Sequence, residues 1–196
     1  MFANRFTAFV DACTLASALK RNLLLTLAEA ELFRIRWSDE VMAETEKAIE
    51  DILAAKGFED AAVRARRARS SMEAAFEDAA VSDYGRLLCV CDGLPDPNDA
   101  HVVAAALKTQ ATIIVTENLR DFPDEISAPL NLEVRSADVF IANTLALAPG
   151  KAVAAVRTMR ERLKRPEKTA EALLIDMEAA GLTETVDVLR PHILSL

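Results

Sequence analysis

Hydrophobic and polar positions along this chain follow two patterns: short uninterrupted apolar runs, and longer stretches with apolar residues at helical spacing. "FTAFVDA" (6–12), a β-branched and aromatic run that reaches Asp11, predicts a buried first strand. "LLLTLAEAELF" (23–33) has helical periodicity, and "RIRW" (34–37) is short and extended. Ser38 is a good N-cap for a helix over 38–55, with acids in its first turn and Val41, Met42, Ile49, Ile52 and Leu53 near the helical period. Residues 58–80 predict a second helix. "RLLCVCD" (86–92) predicts a buried strand that again ends in aspartate, followed by a helix over about 99–110 and a buried strand, "ATIIVT" (111–116). The polar turn "ENLRDFPDE" leads to a last short strand at 132–134 and a helix capped by Ser136 that runs to about 147. Alternation of strand and helix, with continuous apolar strands, predicts an α/β fold whose mostly parallel sheet is covered on both faces.

"APGKA" (148–152) marks the expected boundary between a sheet-centred domain, 1–147, and a helical C-terminal extension, 148–196. The extension shows only helical patterning, with breaks at Arg165-Pro166 and at Gly181. Leu163, Leu173, Leu174, Ile175, Met177, Leu182, Val186, Val188 and Leu189 give it apolar surface to bury. That surface suits packing on the first domain, on a second copy or on a protein partner, and the pattern does not choose among them.

Composition narrows the picture. With 52% hydrophobic residues, five glycines and seven prolines, the chain has ample material for one buried core. A net charge of −8 excludes a global basic field, so any nucleic-acid contact must come from local basic patches or from a metal. Cys13, Cys89 and Cys91 are odd in number and lie among apolar neighbours, which reads as reduced core residues. His101 and His192 are the only histidines, too few beside those cysteines for a structural zinc site. No segment approaches the roughly 20 uninterrupted apolar residues of a membrane span, and a cytoplasmic protein is expected. Trp37 is expected in the core at a strand end.

"LPDPNDAHVVAAAL" (94–107) starts a helix with two aspartates, Asp96 and Asp99, where one carboxylate would cap it. In a parallel sheet, ligands bind beyond the carboxyl ends of the strands. Asp11 is at such an end, Asp99 follows another, and the loop after 111–116 carries Thr116, Asn118 and Asp121. Glu44 lies about a turn and a half into the helix opened by Ser38. Carboxylates brought together this way repel one another unless a divalent cation joins them, and hard oxygen donors suit Mg2+ or Mn2+. The chemistry implied is phosphodiester hydrolysis. Each acid also has a plainer reading. Asp99 suits a helix cap, and Asp96 and Asp121 suit turns before Pro97 and Pro123. Glu44 suits a solvated helix acid no different from Glu40, Glu46 or Glu50.

Taken in order, "FVDACTL", "SDEVMAE", "DPNDAHVVAAAL" and "VTENLRDFP" closely resemble the PIN-domain family of metal-dependent ribonucleases, which includes the VapC-type toxins of bacterial toxin–antitoxin pairs. The resemblance covers roughly residues 5–140 and implies a three-layer α/β/α fold around an acidic pocket for Mg2+ or Mn2+. It places the family's first acid on Asp11, its second on Glu44 and its third on Asp99, with Thr116 as the supporting hydroxyl. Asn118 stands where many members carry aspartate, and Asp121 offers a carboxylate instead. The implied catalytic acids are therefore Asp11, Glu44, Asp99 and Asp121. The implied metal ligands are these four and Asn118, supported by Thr116 and Asp96, with His101 read as structural. The resemblance also implies an RNA substrate, a cognate antitoxin and a homodimer.

"RARRAR" (64–69) and "RTMRERLKRPEK" (157–168) are the dense positive stretches, each a solvated helix face or a grip on RNA phosphates, the first being the better candidate for RNA. A phosphatase of the haloacid dehalogenase class needs a second aspartate where "DACT" has Cys13. A receiver domain needs an early acidic pair and a late lysine, neither of which is evident. Asn118 keeps open a catalytically weak PIN-like module that binds RNA or a protein without cutting.

Overall fold

Parallel strands in a single five-stranded sheet position the acidic residues. The structure, a computed structural model, describes residues 6–91, 93–164 and 166–196. In chain order the elements are β1 (Thr7–Val10), α1 (Ala12–Ala16), α2 (Ala18–Glu29), β2 (Arg34–Ser38), α3 (Asp39–Ala55), α4 (Ala61–Ala75), β3 (Ala80–Val81) and α5 (Ala100–Lys108). There follow β4 (Ile113–Val115), α6 (Asp124–Ser127), β5 (Glu133–Arg135), α7 (Ala137–Leu147), α8 (Pro149–Arg162), α9 (Ala170–Ala179) and α10 (Thr183–Leu189). These elements form two compact units: residues 6–17 with 34–135, and residues 18–33 with 136–196.

The first unit holds the whole sheet, in the order β3-β2-β1-β4-β5, with every neighbouring pair parallel. Ala8, Phe9 and Val10 of β1 are all fully buried, and so are Ile114 and Val115 of β4. Successive strand residues point to opposite faces, so both faces of the sheet are covered, as the continuous apolar runs predict. From β1 the chain moves outward through β2 to β3, then crosses to β4 and β5 on the other side. The order therefore reverses at β1 and β4, where a parallel sheet opens a crevice beyond its strand ends. Ser38 ends β2 and caps α3, its hydroxyl accepting from the Val41 N–H at 3.2 Å. Trp37 is 1% exposed and packs edge-on against Phe76, as its place at a strand end suggests.

Several expectations are corrected. Residues 86–91 do not form a strand: Gly85–Val90 is a 3-10 helix, with Leu88 and Val90 41% and 45% exposed. A short apolar run does not by itself distinguish strand from helix. The sheet edge is instead taken by β3, whose Ala80 and Val81 pair with Trp37 and Ser38. The helix expected over 58–80 stops at Ala75, and a 3-10 turn, Glu77–Ala79, leads into that strand. None of the three cysteines is in a disulfide among the described residues, but of the cysteines expected in the core only Cys91 is buried; Cys13 is half-buried and Cys89 exposed. Asp92, Arg165 and Met1–Arg5 lie outside the described residues.

In the second unit α2 packs against α7 and α8, and α10 against α7 and α9. Phe33 meets Phe140 edge to face at 4.9 Å, and Arg162 grips Glu29 through both terminal nitrogens at 2.7 and 3.2 Å. Leu173, Leu174, Met177, Leu182, Val186 and Leu189 are buried, whereas Ile175 points away from that face and is 64% exposed. Gly181, with φ +79°, turns the chain between α9 and α10. Among the described residues no helix is long and apolar enough to cross a membrane.

The start of α10 is capped from a distance. Leu182, at its N-cap, makes no side-chain cap bond. Asp138 of α7 supplies it: Oδ2 accepts from the Glu184 N–H at 2.9 Å and Oδ1 from the Thr185 N–H at 2.8 Å. Replacing Asp138 with alanine leaves both donors unsatisfied and is expected to cost about 1–2 kcal/mol of stability, read as a lower urea midpoint by circular dichroism. An unchanged midpoint would show that water caps this turn equally well.

Candidate functional site

Asp11 follows the last residue of β1, and three donors orient its carboxylate. Its backbone N–H donates to the Val115 carbonyl at 3.0 Å, extending the β1–β4 pairing by one residue. Oδ1 accepts from the Ala12 N–H at 2.6 Å and so caps α1. Oδ2 accepts from the Thr116 hydroxyl at 2.7 Å and the Cys13 thiol at 3.1 Å. Thr116, fully buried after β4, is held in turn by its own N–H, which donates to the Arg135 carbonyl at 2.9 Å. Its oxygen also accepts from the Asn118 N–H at 3.0 Å. The two residues therefore meet in the crevice where the strand order reverses. Burial, then the charge of Asp11, pushes the Cys13 thiol up to about 11, so it stays protonated and donates.

The two aspartates before α5 divide their work. Asp96 Oδ1 accepts from the Asn98 N–H at 2.9 Å and caps the 3-10 turn Pro97–Asp99. Asp99 occupies the N-cap position of α5 but makes no cap bond, so its carboxylate is free for other duty. Burial pushes the Asp99 carboxyl up to about 6, and the charges of Asp11, Asp121 and Asp96 add to the shift against the opposing pull of His101. Asp121 ends the 3-10 turn Leu119–Asp121 after β4, its N–H donating to the Asn118 carbonyl at 3.0 Å. Asn118 is exposed, and its side-chain amide bonds none of these carboxylates among the described residues.

Glu44 is set apart from its acidic neighbours on α3. Glu40 accepts a short hydrogen bond from the Tyr84 hydroxyl, which holds it below the usual carboxylate range. Glu46 pairs with Arg69 at 3.6 Å. Glu44 is raised, by burial first and then by the charges of Asp11 and Glu40, against the pull of His101. His101 Nε2 stands 3.1 Å from Glu44 Oε1, and its Nδ1 is buried with no partner among the described residues. His101, read as structural from the sequence, is thus the partner of one of the expected acids.

The expected acids share one electrostatic neighbourhood, in which Asp99 feels Asp11, Asp121 and Asp96, and Glu44 feels Asp11. They do not close on a point. Among the described residues no three His, Cys, Asp or Glu side chains stand together as a ready-made metal cage. Glu44 is turned to His101 and Asp96 to the Asn98 N–H. Sequence reasoning missed Cys13, taken as core although it lies two residues from Asp11. It also missed the Glu44–His101 and Glu40–Tyr84 pairs, whose members are 57 and 44 residues apart with no local signal to join them.

Comparison with known proteins matches two stretches of the chain. The PIN domain family matches residues 7–120, and the VapC50 C-terminal domain family matches residues 137–191. A curated relative from Mycobacterium tuberculosis (strain ATCC 25618 / H37Rv), named "Putative ribonuclease VapC50", is 34% identical over 76 residues, 39% of this chain. The match spans 45% of that relative's length. No solved structure matches the chain. With a parallel sheet of this order, an aspartate and a threonine joined at its reversal point, and a match over more than half its length, this chain belongs to the PIN-domain family.

Proposed function

We propose that this chain is a metal-dependent endoribonuclease that hydrolyses RNA phosphodiester bonds, the toxin of a type II toxin–antitoxin pair acting in the cytoplasm. The observation that carries the reading is the Asp99 carboxyl, free of capping duty and pushed up to about 6 beside Asp11, Asp121 and Asp96. A site that concentrates negative charge in this way is suited to a cation. The name of the M. tuberculosis relative supports ribonuclease chemistry, and the two family matches support the toxin assignment. An antitoxin partner and a homodimer rest on the family likeness alone.

The donor chemistry fits Mg2+ or Mn2+. All the acids present hard oxygens, and Mg2+ characteristically keeps several of its waters, which suits carboxylates that do not form a closed cage. Asp11, Glu44, Asp99 and Asp121 would hold the ion, with Asn118 able to add a neutral carbonyl oxygen. When bound, the ion supplies neutralisation of the charge that builds on the scissile phosphate. The remaining work belongs to the chain. Thr116, Cys13 and the Ala12 N–H fix the orientation of Asp11, and His101 fixes that of Glu44. On α4, Arg64 and Arg69 are committed to Asp60 and to Asp39, Glu46 and Glu73. Arg66 and Arg67 are exposed and pair with no carboxylate among the described residues, which leaves them for RNA phosphates.

A second reading, a PIN-like module that binds RNA or a protein without cutting, is favoured by the exposed, uncharged Asn118 and by the unclosed set of acids. Cleavage of a labelled structured RNA separates the two. Under the enzyme reading, cleavage needs Mg2+ or Mn2+, stops with a chelator, and falls by about a hundredfold or more in Asp99→Asn. Thr116→Val, which removes a partner of Asp11, lowers metal affinity or activity by roughly 10–100-fold. Intact RNA across a panel, together with no Mn2+ binding by calorimetry, would establish the second reading instead.

The raised Asp99 carboxyl also predicts a pH dependence of the metal-free protein. Asp99 binds its proton more tightly folded, at about 6, than at the ordinary value of 3.8. Its contribution therefore favours folding below about pH 4 and is lost as the pH rises through 6. In chelator, Asp99→Asn should raise the melting temperature at pH 7.5 by a few degrees and leave it unchanged near pH 4. A variant less stable than the parent at pH 7.5 would contradict the charge crowding.

A further inference from the structure

A cleft lined by basic and acidic side chains lies within the second unit. It has a volume of about 350 Å3 and is lined by Arg160, Lys164, Lys168, Glu161, Glu167 and Thr169, among others. Arg160 sits in the last turn of α8, and the chain then folds back through an antiparallel bridge between Lys164 and Glu167 before Thr169 caps α9. The guanidinium is anchored from one side only, with Nη1 donating to the Lys168 carbonyl at 2.8 Å. Its other edge is not matched. Nε is buried and has no hydrogen-bond partner among the described residues, and Nη2 is 3.9 Å from Glu161, beyond hydrogen-bond distance. Glu161 is engaged instead by Arg157 at 2.9 Å.

Nε and Nη2 together form the side-on fork with which arginine binds an oxyanion through two parallel bonds. A buried N–H left without an acceptor is costly, and in native proteins such a group commonly marks a water or ion site. Lys168 pairs with Asp176, whereas Lys164 is exposed and makes no ion pair with another side chain among the described residues. The positive end of α9, a ten-residue helix, begins at the same rim. A carboxylate has two oxygens and satisfies the fork alone. A phosphate has enough to reach the fork and Lys164 together.

We propose that this cleft binds a phosphate group, held by the Nε–Nη2 edge of Arg160 and by Lys164. To reach Nε, a phosphate oxygen displaces the atoms that now shield it. The phosphate comes either from a nucleic-acid backbone or from a small phosphorylated solute. The inference does not rest on nuclease activity.

Binding to the full chain in chelator, which keeps the acidic cluster out of the measurement, tests it. The probes are inorganic phosphate, followed by 31P NMR, and a 2′-O-methyl RNA oligonucleotide that cannot be cleaved, followed by fluorescence anisotropy. Lys164→Gln, at an exposed position, should weaken whichever probe binds by several-fold. Arg160→Lys, which keeps the charge but removes the fork, should weaken it about tenfold. With RNA as the source, Lys164→Gln also lowers the slope of log affinity against log salt by about one. Binding of inorganic phosphate with this variant pattern supports a small-solute source, and binding of the oligonucleotide alone supports a nucleic-acid source. Failure of both probes to bind, or binding that both variants leave unchanged while circular dichroism shows them folded, overturns the proposal. Because no step requires cleavage, an inactive acidic cluster leaves this test intact.

Discussion

The hydrogen bond from Thr116 to Asp11 is the constraint on which the candidate site depends. It joins the first residue beyond β1 to the first beyond β4 and places a carboxylate, 6% exposed, at the point where the sheet reverses its order. Burying that carboxylate would be unfavourable alone, but the Ala12 N–H, the Thr116 hydroxyl and the Cys13 thiol all donate to it. The arrangement also ties chemistry to strand register. A one-residue slip between β1 and β4 would send alternate residues to the other face and present Val10 or Ala12 to the threonine. Sheet and site are therefore specified by the same pairing.

Around that fixed point the acids occur in pairs with unequal duties. Asp96 is occupied by a turn and Asp99 is not; Glu40 is occupied by Tyr84, and Glu44 answers only to a histidine. Asp96 completes a local turn and Glu40 a contact across the fold, whereas Asp99 is left without a cap bond and Glu44 with only its histidine. The two available acids are also the two whose proton affinity is raised. Burial and like charge act together on both residues.

Much of this was legible along the chain, for reasons that differ from residue to residue. Strands β1 and β4 are continuous apolar runs because both sheet faces are covered, and Asp11 and Thr116 are conspicuous as the first polar residues after them. Ser38 and Ser136 announced their helices because a cap acts within three residues. The segment 86–91 misled because its apolar residues imitate a buried strand while lying largely exposed in a 3-10 helix. β3 escaped notice because two residues carry no period at all. Glu44 and His101 were visible singly, but their bond is a product of the fold, which no local pattern encodes.

The composition of the second unit has a bearing on synthesis as well as on architecture. Its α2 is made early, whereas Phe140 and Arg162, which meet Phe33 and Glu29, come only after the entire sheet unit has been added. Leu23, Leu24 and Leu27, buried in the finished protein, therefore have no native partners on α7 or α8 while those residues are being translated. Long-range closure of this kind is slow, and apolar surface that waits for it attracts chaperones or other nascent chains. The ribosome thus meets a helix whose folding is deferred, and the late helices act as the clasp that ends its exposure.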